Sequence, residues 1–284
     1  MSSSPRIRAW TGSLPPTAFM LLAAAYFLLP LWWLVVASTK SAADLISHPG
    51  LWFSQIDLGT NLSNLFERDG HIYLRWLLNS AIYAGGGATL ATLLSTMAGY
   101  ALAKYEFRGR QAVFSTILAS ILVPATALTL PVFLLMSRLG LADTYWSVLL
   151  PSAVSPFGVY LARIYAAASV PDELLEAGRL DGASEFRIFF TVSLRLLKPA
   201  LITIFLFQFA GIWNNYMLPL IMLSHHDLYP VTLGLAVWDS QTIHDPSLHM
   251  VVISGALVSV APLVAAFLLL QRYWRSGLAA GSIK

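Results

Sequence analysis

Residues 17–38 read TAFMLLAAAYFLLPLWWLVVAS, a run that contains no Asp, Glu, Lys or Arg. A helix crossing the hydrocarbon core needs roughly 20 predominantly apolar residues at about 1.5 Å each, so this run is long enough to span a bilayer. Arg6 and Arg8 precede it as basic residues precede a secretory signal. The run is nevertheless about twice as long as a signal core, which makes it a retained span.

The same test applied outward finds charge-free runs at about 76–103, 112–136, 145–162, 199–224 and 250–271. The expected fold is therefore an all-α membrane protein with six transmembrane helices in a single transmembrane domain over residues 1–284. Composition agrees, because 57% of residues are hydrophobic and 11% charged, where a soluble domain carries about a quarter charged. The absence of cysteine excludes disulfides, zinc–thiolate sites and cysteine nucleophiles.

Six spans with both ends in the cytoplasm place 13 of the 17 basic residues inside, leaving only Lys40, Arg68, Arg75 and Arg138 outside. That asymmetry satisfies the positive-inside rule. All six histidines fall outside in the same arrangement. His225-His226-Asp227 has no second ligand cluster near it, so it reads as a polar outer loop and no metal site is expected.

Five spans carry proline within them or at their edge (Pro30, Pro124 and Pro131, Pro151 and Pro156, Pro219, Pro262), and the second carries Gly85-Gly86-Gly87 instead. Such helices are expected to bend, and broken backbone at membrane depth must be satisfied by protein or by a water-lined cavity. Ser80, Ala84, Ala88, Ser95 and Gly99 form a small-residue seam suited to close helix packing. The outer stretches 39–75 and 225–249 are long enough for short surface helices, with Trp52, Phe53 and Trp238 as candidate interfacial anchors.

The loop at about 169–198, between spans four and five, reads as helix, turn, helix. Pro171, Asp172 and Glu173 suit a helix start, Gly182 a left-handed residue past a helix end, and Ser184 the cap of the next helix. Ala177, Gly178, Gly182 and Ala183 leave little bulk, while Glu176 and Asp181 offer carboxylates to a basic partner.

Glu176-Ala177-Gly178-Arg179-Leu180-Asp181-Gly182-Ala183 resembles the loop by which permeases of bacterial ATP-binding-cassette (ABC) importers engage their ATPases. The likeness extends over nearly the whole chain to the maltose-type carbohydrate permeases related to MalG. Arg75-Trp76-Leu77-Leu78-Asn79-Ser80, Gly99-Tyr100-Ala101-Leu102-Ala103-Lys104, Leu139-Gly140-Leu141-Ala142-Asp143-Thr144, Trp213-Asn214-Asn215-Tyr216 and the tail 277–284 carry it. The family usually has alanine where Gly178 stands and proline where Arg195 stands, which puts the start of span five in question.

The resemblance implies a type I importer permease fold with cytoplasmic coupling helices, in a bacterial inner membrane. It implies as partners a second permease, two ATPases on the coupling loop and an extracytoplasmic solute-binding protein, with no nucleic acid. ATP and Mg belong to the partner ATPases, since no Gly-Lys dipeptide exists here to build a phosphate loop. No cofactor site or catalytic residue is expected in this chain. Glu176, Ala177, Gly178, Asp181, Gly182 and Ala183 are the expected ATPase-coupling residues.

The fifth run concentrates polar groups at Gln208, Trp213, Asn214, Asn215 and Tyr216. On one continuous helix, Gln208, Gly211 and Asn215 share a face beside a Phe209, Trp213 and Tyr216 stripe. Amides bond hydroxyls and rings cover C–H faces, so these residues are expected to line a path for a sugar or sugar-like solute. Helix–helix packing is the competing use of the same residues. An ion-coupled transporter is the alternative function, but it ordinarily places ionisable groups inside its spans, and these spans have none.

Overall fold

The computed structural model describes residues 14–280, with side-chain surroundings for residues 16–271. Arg6, Arg8 and the tail positions 281–284 lie outside the described residues. Among those described, all regular structure is helical. The chain divides into two compact units: residues up to Glu67 with Trp238–Val258, and Arg68–Val237 with the residues from Ser259.

In the first unit, α1 (Leu14–Ser38) turns almost all its side chains outward, and Phe19, Leu22, Tyr26 and Phe27 are freely exposed. Its end alone is buried, at Val36–Lys40. There α1 meets α2 (Ala42–Ser47) and α3 (Leu58–Glu67), the short helices expected outside the first span. Asn61 of α3 donates to the carbonyls of Ser38 and Lys40, each at 2.9 Å. The Lys40 ammonium is fully buried and donates to the Pro49 carbonyl at 2.7 Å. Trp238, expected as an interfacial anchor, is instead buried.

The second unit is built around α4 (Ile72–Lys104), which runs unbroken through Gly85-Gly86-Gly87 despite the flexibility expected there. Against it pack α7 (Tyr145–Ser152), α8 (Pro156–Ser169) and α11 (Lys198–Trp213). Before these come α5 (Arg110–Ile121) and α6 (Ala125–Arg138). Then follow α9 (Asp172–Leu180) and α10 (Glu185–Leu196) ahead of α11, and α12 (Met217–Met222), α13 (Val231–Gln241) and α14 (Leu248–Ala280) after it. The expected small-residue seam is real: Ser80, Ala84, Ala88, Ser95 and Gly99 are all buried on α4. A methyl group on Gly99 would lie 2.7 Å from the Arg163 nitrogen and 2.8 Å from the Val159 carbonyl, so α8 approaches to backbone contact.

Three expected spans are single long helices, α1, α4 and α14, and the fourth in chain order is the α7–α8 run over Tyr145–Ser169, interrupted where Ser155 takes extended backbone. The third span is not one helix, because α5 and α6 meet at 105°. Pro124 stands at the start of α6 with extended backbone, where it supplies no N–H to continue α5. The fifth, 199–224, is not continuous either, since its helix ends at Trp213 and restarts at Met217, and a sharp turn precedes its start. A bend of 81° leads from α10 into α11, placed at buried Leu197 with Pro199 in the first turn beyond. The turn therefore forms without a proline at Arg195, which is exposed. At its far end α11 stops at Trp213, and the backbone leaves the helix before α12.

Candidate functional site

The loop after α8 forms as its residues dictate. Pro171 precedes α9 with Asp172 and Glu173 in the first turn, where carboxylates favour the positive helix end. Gly182 adopts φ of +75°, the left-handed conformation that suits glycine past a helix C-terminus. Ala183 N–H then donates to the Gly178 carbonyl at 3.0 Å, closing the turn. Ser184 caps α10 by accepting from the Arg187 N–H.

Two attachments hold this loop. Leu175 is buried in one cluster with Tyr100, Ala166, Val170, Ile188, Phe189 and Leu197. Gly178 faces Ile188, where a Cβ would come within 3.0 Å of Cγ1 and 3.1 Å of Cδ1, so glycine here seats the two loop helices closely. The end of α4 supplies the second attachment. Lys104 Nζ lies 2.8 Å from the Asp172 carboxylate, and the Tyr105 hydroxyl donates to Glu185 at 2.8 Å. Arg179 Nε donates to the other Glu185 oxygen at 2.7 Å, so one carboxylate joins α9, α10 and the end of α4.

What remains outward is Glu176, Ala177, Asp181 and Gly182, with Gly178 and Ala183 half-buried between them. Beside them stand Leu180, 89% exposed, and Phe186, also well exposed. Neither apolar residue has a role in the sequence reading. Leu180 lies inside the quoted motif, but its outward direction depends on the register fixed by buried Leu175.

Hydrogen bonds from Arg179 and then Tyr105 hold the Glu185 carboxyl below its ordinary value. A carboxylate stabilised this way supports the folded loop above its unfolded pKa and loses that support as pH falls through the lowered one. Acidifying below the ordinary carboxylate range is therefore expected to loosen the turn between α9 and α10. A spin label at Ala183→Cys, in this cysteine-free chain, should report greater mobility at low pH, and the change should vanish in Glu185→Gln.

The polar residues of the fifth run gather at the α11–α12 junction, but the break separates them from one helical face. Gly211, Asn214 and Tyr216 are exposed. Gln208 donates to the Ser155 hydroxyl, and Trp213 is buried, stacked on Phe209 at 5.7 Å between ring centres. Asn215 accepts from the Leu218 N–H at 3.2 Å, capping α12, while its carbonyl accepts from the Thr232 hydroxyl at 3.0 Å. The Asn214 side chain donates back to the Ala210 carbonyl within its own helix, at 2.9 Å.

Residues 91–279, which contain the loop and this junction, match the family described as binding-protein-dependent transport system inner membrane component. The chain belongs to that family. The permease is 34% identical over 274 residues to the arabinooligosaccharides transport system permease protein AraQ of Bacillus subtilis (strain 168), covering 94% of each chain. It is 30% identical over 267 residues to the lactose transport system permease protein LacG of Rhizobium radiobacter, covering 93% of each. Its fold matches a chain in the crystal structure of a bacterial ABC transporter involved in import of the acidic polysaccharide alginate. That match has a TM-score of 0.80 at 23% identity and covers 96% of the permease and all of that chain.

Family motifs away from the loop acquire physical roles in the permease. At the His71 end of α4, Trp76 donates to the His226 carbonyl at 2.8 Å, and Asn79 to those of Asp227 and Tyr229 at 2.7 and 3.0 Å. Ser80 accepts from the Val231 N–H at 2.8 Å. These side chains hold the 226–231 loop by its backbone. In the Leu139–Thr144 motif, Gly140 takes φ of +69° and Asp143 +56°, which aims the Asp143 carboxylate at the N–H groups of Ser224 and His225, 2.8 and 3.1 Å away. The His225 ring also pairs with Asp143. The partner of this histidine lies 82 positions away in sequence, beyond any spacing rule.

Proposed function

We propose that this chain is one of two permeases in an importer for a sugar or sugar-like solute, driven by two separate ATPases. The outward face of α9 and its turn carries the reading. Glu176 and Asp181 supply negative charge, Leu180 and Phe186 supply apolar area, and the small residues let another backbone approach. A solvent-exposed leucine beside paired carboxylates and a glycine turn fits a basic, groove-bearing protein surface. The ATPases supply ATP and Mg chemistry, and this chain binds neither.

The orientation that follows puts the loop and both termini in the cytoplasm of a bacterial inner membrane and the 226–231 loop outside, towards a solute-binding protein. Because Lys104 and Tyr105 tie the loop to one end of α4 while Trp76, Asn79 and Ser80 tie the outer loop to the other, α4 moves both together. ATPase closure thus tilts the helices between inward-open and outward-open states. Oligosaccharides, simple sugars, amino sugars and glycerophosphates all fit the proposed substrate class.

In this reading Gln208, Gly211, Trp213, Asn214, Asn215 and Tyr216 border the path, and the solute contacts are assigned to Gly211, Asn214 and Tyr216 because these are exposed. Asn214→Ala is expected to slow uptake roughly tenfold, the equivalent of one lost hydrogen bond of about 1.4 kcal/mol, with complex assembly intact. Sealed vesicles containing the complex test both parts of the reading. Uptake should require ATP and the ATPases, whereas uptake driven by an ion gradient alone rejects it, and unchanged kinetics in Asn214→Ala removes this residue from the path.

A further inference from the structure

The segment from Ile46 to Ile56 turns several large apolar side chains outward. Its apolar side chains point away from the protein: Ile46 is 91% exposed, and Trp52 and Ile56 are each 70% exposed. Ser47, His48 and Gln55 are exposed, but the charged neighbours Lys40 and Asp44 are turned inward. Lys40 is fully buried on the Pro49 carbonyl, and Asp44 accepts from the Ser54 hydroxyl at 3.1 Å and lies 3.3 Å from the His48 ring. No Asp, Glu, Lys or Arg occurs between Asp44 and Asp57. Isolated exposed apolar residues are ordinary, but several on one segment mark contact with an apolar phase or partner.

We propose that residues 46–56 form a collar embedded in the membrane interface, which fixes the depth of α1 in the bilayer. The occupant is lipid because the segment is continuous with the exposed, charge-free surface of α1, which is long and apolar enough to span a bilayer. The Trp32 indole of α1 donates to the Leu51 carbonyl at 3.0 Å, and its ring meets Phe53 edge to face at 5.5 Å. A Cβ on Gly50 would lie 3.4 Å from the Trp33 indole nitrogen, so the turn sits directly against α1. Trp32, Trp33, Trp52 and Phe53 thus share one level, and all four are partly exposed. Tryptophan and other amphipathic rings concentrate at the headgroup boundary, where their apolar bodies and polar edges are both satisfied.

The chain has no cysteine, so single substitutions Ile46→Cys, Trp52→Cys and Ile56→Cys can each carry one nitroxide. The test uses the assembled importer in vesicles of phosphatidylcholine and phosphatidylglycerol. A label at Ser63→Cys, on an exposed position of α3, is the aqueous reference. Collisions with oxygen, which partitions into lipid, should exceed those with a water-soluble nickel chelate several-fold at the three collar sites but not at position 63. Nickel access equal to that at position 63 overturns the proposal. Shielding from both reagents means that a protein partner covers the segment, and this overturns it too. If loss of Trp52 prevents assembly, the labels at 46 and 56 decide.

Discussion

Replacing Glu176 with lysine is expected to lower ATP-driven uptake by roughly two orders of magnitude, about 3 kcal/mol of coupling, as reversed charge does at a desolvated interface. Glu176 is exposed, and the ion pairs that hold the loop run through Asp172 and Glu185 instead. Leu175 still anchors α9 in its apolar cluster, so the variant should insert and fold normally. The proposed cost falls on the ATPase contact, where a carboxylate facing basic groups becomes a like charge. Uptake and ATP hydrolysis measured together in vesicles decide the matter. Hydrolysis uncoupled from uptake, or loss of ATPase from the purified complex, is the expected result, and wild-type uptake refutes the assigned role.

The second large effect is expected at Gly99. A valine there has no room, because even its Cβ would lie within 2.8 Å of α8 backbone atoms, which cannot swing aside as a side-chain tip can. Overpacking of this kind costs about 1–3 kcal/mol or more. It also pushes apart α4 and α8, the pair that positions the loop. Gly85→Ala is the matched control, since nothing lies within 4 Å of its would-be Cβ. Thermal unfolding of detergent-solubilised permease should drop by several degrees for Gly99→Val and hold or rise slightly for Gly85→Ala. Equal behaviour of the two variants would show that the α4–α8 seam is not tightly packed.

Reading the spans from sequence succeeded where one local quantity decided the outcome. Charge-free runs of sufficient length became helices because unsatisfied backbone is costly in lipid, whatever packs beside them. The loop turn was legible for a similar reason. Pro171, Gly182 and Ser184 act through their own backbone preferences, and each occupies its expected position.

The breaks were less legible. Asn214-Asn215 reads equally well as one more helical turn, and only on that basis do Gln208, Gly211 and Asn215 share one face. In the structure Asn215 caps α12 and bonds Thr232, so a distant segment stabilises the interruption. Gly85-Gly86-Gly87 shows the reverse. Weak helix formers stay helical because α7, α8 and α11 pack against α4, and that packing outweighs propensity. Gly178 likewise departs from the family's alanine, and only the position of Ile188 explains what the missing methyl leaves room for.

The sequence by itself determined the charge-free run at residues 17–38 as a membrane helix, together with the other spans and the caps of the loop, because length, charge and backbone preference are local. The tertiary structure alone decided that Glu185 joins Arg179 to Tyr105, that Asp143 holds residues 224 and 225, and that Lys40 and Asp44 beside residues 46–56 turn inward. Each of those depends on groups far apart in the chain, or on which side of a segment is enclosed, and only packing brings such groups together.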